Sequence, residues 1–206
     1  MLKLFYAVGS CAVASHIALE EAGAAYEAVR LDLRAGDQGK PDYLAINPKA
    51  RVPALATDRG VLTENPAILA FVAQSHPSAR LAPLDDAFAF GRIQAFNSYL
   101  CSTVHVAHAH GLRAYRWADD PGAMAEMRRK VPQNVAECFG LIERTMFEGP
   151  WVMGERYSIC DPYLFTVAGW IQNDGVDPTR FPKVWDHQQR MKQRPAVDKV
   201  LTLYRS

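Results

Sequence analysis

The chain has only four cysteines in 206 residues, and no two of them stand close together. Cys11, Cys101, Cys138 and Cys160 form no CxxC pair, which argues against a disulfide-stapled secreted domain and against a paired-cysteine zinc site. Surplus charge is missing too. The 23 basic and 22 acidic side chains leave a formal charge of +1, too even a balance for an electrostatic nucleic-acid footprint. No apolar run approaches the roughly 20 residues that cross a bilayer. The opening LKLFYAVGSCAVA is faintly leader-like, but Tyr6 and Gly9 interrupt it, and it reads as mature strand-and-helix sequence. Repeats and low-complexity tracts are absent. These absences point to a cytoplasmic protein with reduced thiols and no membrane, nucleic-acid or metal partner.

What is present is ordinary globular material, 49% hydrophobic and 22% charged, sufficient for one large domain or two modest ones. Residues 2–6 are apolar and aromatic enough for a buried strand. Residues 12–22 have helical spacing, with Gly23 as a stop. Tyr26 to Leu33 reads as a second strand. A loop and a short helix ended by Pro48 follow. Residues 54–57 and 60–63 form a hairpin through Asp58, Arg59 and Gly60. Asn65 to Gln74 is helical again, with Pro66 at an early position where its missing N–H costs nothing. The order βαβ, α, ββα is a thioredoxin-like arrangement, its first two strands joined by a right-handed crossover. The Pro-rich stretch at 76–86 reads as a linker, and beyond it only helices are expected, over 86–115, 122–147, 158–172, 182–193 and 196–204. The expected domains are therefore 1–75, α/β and thioredoxin-like, and 87–206, all-α.

Chemistry is expected at the Gly9-Ser10-Cys11 turn, between the first strand and the first helix. A helix N-terminus presents free N–H groups and partial positive charge, so it favours a thiolate. Tyr6, Ser10 and Cys11 could each serve one, although Ser10 is equally suited to capping the helix. Cys11 at that position is expected to ionise more readily than a free thiol. Farther on, His105 and His108 share a helix face. With Cys101 as the only further ligand type near them, a metal site is not supported.

Four segments in this order, LKLFYAVGSCAVASHIALEEAG at the start, ARVPAL at 50–55, LTENPAIL at 62–69 and ERYSICDPYLF at 155–165, resemble the glutathione transferases, and among them the bacterial beta-like group. The resemblance spans essentially the whole chain. It implies the glutathione transferase fold, glutathione as co-substrate, a homodimer and a role in detoxification. It places Cys11 beside the glutathione sulfur, with Ala12 where a serine is usual, and puts Ser10 where other classes carry a thiolate-stabilising hydroxyl. Tyr6 matches a tyrosine common to several classes, in an indirect role. Val52-Pro53 matches the dipeptide whose cis proline aims the Val52 backbone at the cysteinyl unit of glutathione. Glu64 and Asn65 stand where an acid and a serine hold the γ-glutamyl group, so Asn65 is expected to donate through its amide. Lys49 or Arg51 is expected at the glycyl carboxylate, and His105 in the cleft as a polar or proton-relaying group. Tyr115 and Trp117 are expected to line the second-substrate pocket. Ser158 to Asp161 reads as a capping box serving folding.

The implied activity is conjugation of the glutathione thiolate to a small electrophile. Two alternatives stay open. One is glutathione-dependent thiol-disulfide exchange through Cys11. The other is a non-catalytic ligand-binding protein, which the departures at Ala12 and Asn65 favour.

Overall fold

The structure, a computed structural model, describes residues 1–205. Strands β1 (Leu2–Tyr6), β2 (Tyr26–Arg30), β3 (Ala54–Thr57) and β4 (Gly60–Thr63) form one sheet in the order β2-β1-β3-β4. β1 runs parallel to β2, with Leu4 opposite Ala28, and antiparallel to β3, with Leu4 opposite Leu55. Alternation along β1 feeds both faces of the sheet. Leu4 packs under helices α1 (Ala12–Glu21) and α3 (Asn65–Ser75), whereas Phe5 turns to the other face against Tyr43 of the short helix α2 (Pro41–Leu44). Asp58 and Arg59 turn the β3–β4 hairpin, and Gly60 adopts a φ of +133° that a side chain would resist.

After α3 the chain is helical: α4 (Ala87–Tyr99), α5 (His105–Leu112), α6 (Pro121–Leu141), α7 (Cys160–Ala168), α8 (Pro182–Lys192) and α9 (Pro195–Arg205). The single helix expected over 86–115 is interrupted by a wide π-type turn at Leu100–Val104 before α5 begins. Such turns re-aim side chains and cluster at functional sites, and here Cys101 and His105 lie in and just after it.

One hydrophobic core joins both halves. Leu4, Leu55 and Ile68 of the sheet half belong to the same buried cluster as Phe96, Phe139 and Leu164 of the helical half. The connecting stretch is docked rather than loose, because Leu81 is buried in that cluster and its carbonyl accepts from the Ile159 N–H at 2.9 Å. α9 folds back over α1, burying Val197, Val200 and Tyr204 against Tyr6, Val13 and Ile17. Arg194 pairs with Glu21 through two bonds of 2.5 and 2.7 Å.

The capping box ahead of α7 forms as the sequence indicates. Asp161, fully buried, accepts from the Ser158 N–H at 2.7 Å and the Val152 N–H at 2.9 Å. His187 of α8 lies 3.0 Å from the same carboxylate, a partner that the local pattern could not show.

Candidate active site

A cleft of about 230 Å³ opens between the edge of the sheet half and helices α5 and α7. Its lining includes Ser10, Cys11, Arg51, Val52, Pro53, Glu64, Asn65 and His105 among the expected residues. Segments some forty to ninety residues apart in the chain meet here because β1 and β4 end, and β3 begins, on one side of the sheet.

Cys11 is half-buried at the turn into α1, and its thiol donates to the Val52 carbonyl at 3.6 Å. The Val52–Pro53 peptide is cis. Contrary to the expectation of easy ionisation, the Cys11 thiol is pushed up to about 12. Burial is the main cause, and the nearby Arg113 charge offsets only part of it. Desolvation of a thiolate outweighs one turn of helix dipole, so Cys11 is a neutral S–H donor at pH 7.

Ser10 takes the capping role. Its hydroxyl donates to the Ala7 carbonyl at 2.7 Å and accepts from the Ala12 N–H at 3.3 Å. With its one proton so engaged, Ser10 has no O–H to offer a ligand thiolate. Tyr6 is outside the cleft, buried beneath α9 with its ring 4.9 Å from that of Tyr204 and 5.2 Å from that of His16.

Asn65 also departs from its expected part. At the first turn of α3 and buried, it accepts from the Ser15 hydroxyl at 2.5 Å and donates to the Cys11 carbonyl at 2.8 Å. Its amide therefore braces the thiol turn, while Asn65 and Pro66, the first residues of α3, line the cleft. Glu64, just before that helix, keeps an exposed carboxylate and a backbone φ of +70°. Ala50, across the cleft lining, has a φ of +53°. Non-glycine residues in this region cost of order 1–3 kcal/mol each and gather at ligand clamps. Lys49 does not line the cleft; its ammonium binds Glu64 at 2.5 Å and Thr63 at 2.6 Å. Arg51 does line it.

His105 lies in the cleft, its ring centroid 5.0 Å from that of Trp170. Burial foremost, then the charges of Arg113, His108, Arg116 and Arg51, lower it to about 4, so it is neutral at pH 7. Of the two expected aromatics, Trp117 lines the cleft and Tyr115 does not. No group of three potential metal ligands occurs among the described residues.

Several lining residues escape sequence reasoning. Arg113 and Arg116 stand three apart beyond α5, beside Trp117, and the i, i+3 basic spacing was the available signal. Trp170, Tyr163 and Cys101 carry no local signal, because helix packing alone brings them to the cleft. Trp170 is held from behind by His108, stacked at 4.4 Å, whose ring nitrogen lies 2.7 Å from Asp174.

A thioredoxin-like sheet with a cis proline opposite a thiol-bearing turn, walled by helices, defines a class of thiol-handling proteins. Residues 1–74 match the family described as the glutathione S-transferase N-terminal domain. Glutathione S-transferase GstA of Escherichia coli O157:H7 is 32% identical, with 98% of each chain covered. A glutathione transferase homologue from Sulfitobacter, solved with bound glutathione, superposes with a TM-score of 0.95 at 43% identity, covering 98% of both chains. The beta-class glutathione S-transferase of Sphingomonas chungbukensis superposes with a TM-score of 0.85 at 34% identity, again covering 98% of both chains. The chain belongs to the glutathione S-transferase family.

Proposed function

We propose that the protein binds glutathione in this cleft and transfers its thiolate to a small electrophile. The observation that carries this reading is the Cys11 thiol poised against the Val52 carbonyl, within a cleft that also holds Glu64, the α3 N-terminus and Arg51. These groups suit the parts of glutathione one by one. Glu64 takes the γ-glutamyl ammonium, the α3 N-terminus its carboxylate, the Val52 backbone the cysteinyl unit, and Arg51 the glycyl carboxylate. The bound sulfur then meets a neutral Cys11, whose S–H exchanges its long 3.6 Å contact with the Val52 carbonyl for the sulfur, beside the Arg113 charge. Holding both reactants together and stabilising the thiolate are the main catalytic contributions. Ser10 is a cap in this reading and His105 a neutral polar wall. A thiol that resists ionisation is a poor attacking group, which favours conjugation over disulfide exchange through Cys11.

The experiment is calorimetric titration with glutathione, followed by turnover of an activated aryl halide. Micromolar-to-millimolar binding with turnover is expected, and binding without turnover would select the non-catalytic reading. The protein is further proposed to act in the cytoplasm as a homodimer. Sedimentation at micromolar concentration should give the mass of two chains, and a monomer would end that part of the proposal.

A further inference from the structure

Three guanidinium groups, those of Arg51, Arg113 and Arg116, line one cleft, and among the described residues none of them has a carboxylate partner. The single acid in the lining, Glu64, is already paired with Lys49. The three charges are close enough to act on one another and on His105. Burial first, and then the Arg116 charge, press Arg113 below the usual guanidinium range. Like charges gathered without a counter-ion oppose folding, and an anionic ligand removes that cost. Glutathione, held as proposed above, engages Arg51 through its glycyl carboxylate and leaves Arg113 and Arg116 facing the space over the sulfur. Two indoles complete this space. Trp170 is fixed from behind by the stacked His108, and Trp117 is braced edge-on by His110 with ring centroids 4.5 Å apart. Flat apolar walls with a fork of donors at one end suit a planar ring bearing an acid.

We infer that the second substrate is an anionic aromatic electrophile, its ring against Trp117 and Trp170 and its carboxylate or sulfonate on Arg113 and Arg116. The inference rests on the glutathione reading and specifies that same site. For an aryl chloride the step balances simply. The glutathione sulfur forms a bond to the chlorine-bearing carbon, chloride leaves with the bonding pair, and the thiol proton passes to solvent.

The test compares a chlorodinitrobenzoate with its methyl ester, each rate divided by its uncatalysed rate with glutathione. Calorimetry of the two glutathione conjugates then reads the preference without chemistry. The acid should be favoured over the ester about tenfold in both measurements, as one charge-assisted contact allows. Arg116→Gln should cut that ratio most of the way to one, and Arg116→Glu should reverse it. Glutathione binding with equal affinity for both conjugates would overturn the anionic class alone. Failure to bind glutathione or either conjugate would overturn the site reading beneath it, and this inference with it.

Discussion

Asn65 donates to the Cys11 carbonyl at 2.8 Å while accepting from Ser15 at 2.5 Å, so α3 and α1 are bolted together at the residue that bears the thiol. The arrangement explains how asparagine functions at the head of α3. Its longer side chain reaches back into the protein and sets the position of the turn that presents Cys11.

Asn65→Ala should cost about 1–3 kcal/mol, the range for stranding buried partners. Ser15→Ala acts on the same bond, so the double variant should lose less than the sum of the two singles. Denaturant unfolding of all four proteins checks this, and strict additivity would show that the two side chains are uncoupled.

Glu64 combines a functional carboxylate with an unfavourable backbone. Glu64→Ala should weaken glutathione binding by about 1.5–3 kcal/mol, as for hydrogen bonds to charged groups. Glu64→Gly should lose the same affinity yet melt higher than the alanine variant, because glycine accepts a φ of +70° without strain. Loss of the exposed Lys49 pair is common to both variants and worth little. Calorimetry with thermal melts separates the effects, and unchanged affinity in both would remove Glu64 from the site.

Cys11 in the ligand-free protein should resist alkylation. Its thiol is raised to about 12 from an ordinary 9.0, so its iodoacetamide rate should still be climbing at pH 10. The raised value has a stability consequence of defined sign. The folded state holds this proton more tightly than the unfolded one, so the contribution is full below pH 9 and declines as pH rises toward 12. Peptide mapping by mass spectrometry reads the rate, and an inflection below pH 9 would contradict the assignment.

His16 is fully buried among Tyr6, Tyr26 and Tyr204, with no hydrogen-bond partner for either ring nitrogen among the described residues. Burial lowers it to about 4, and His105 lies near the same value. For bases lowered in the folded state, the unfolded chain binds more protons between pH 6.5 and 4, so stability falls on acidification through that window. His16→Phe keeps the ring contacts and removes two stranded polar atoms. It should stabilise the protein by about 1–3 kcal/mol at pH 5, and by less at pH 7. Equal gains at the two pH values would show that titration plays no part.

Asp161→Ala should cost about 1–3 kcal/mol for each buried hydrogen-bond partner it strands. This exceeds a lost cap because the Val152 and Ser158 N–H groups and His187 are all stranded. A fall in activity with an unchanged melting temperature would contradict this folding role.

The sequence by itself determined the order of elements, the hairpin and the capping box, and its resemblance to the glutathione transferases implied that Cys11, Val52, Glu64 and His105 share one cleft. Turn residues, periodicity and short motifs are local signals, and the topology they imply brings those segments together. Tertiary structure alone decided what the polar atoms do there. It engaged the Ser10 proton at Ala7, turned Asn65 inward, buried Tyr6 under α9 and tied Lys49 to Glu64. It also gathered Arg113, Arg116 and Trp170 into the cleft, from segments just beyond α5 and α7 whose packing no local pattern encodes. The ionisation of Cys11 belongs to this second group for the same physical reason. Helix position is legible in sequence, but desolvation is a sum over everything that packs nearby, and here it outweighs the dipole.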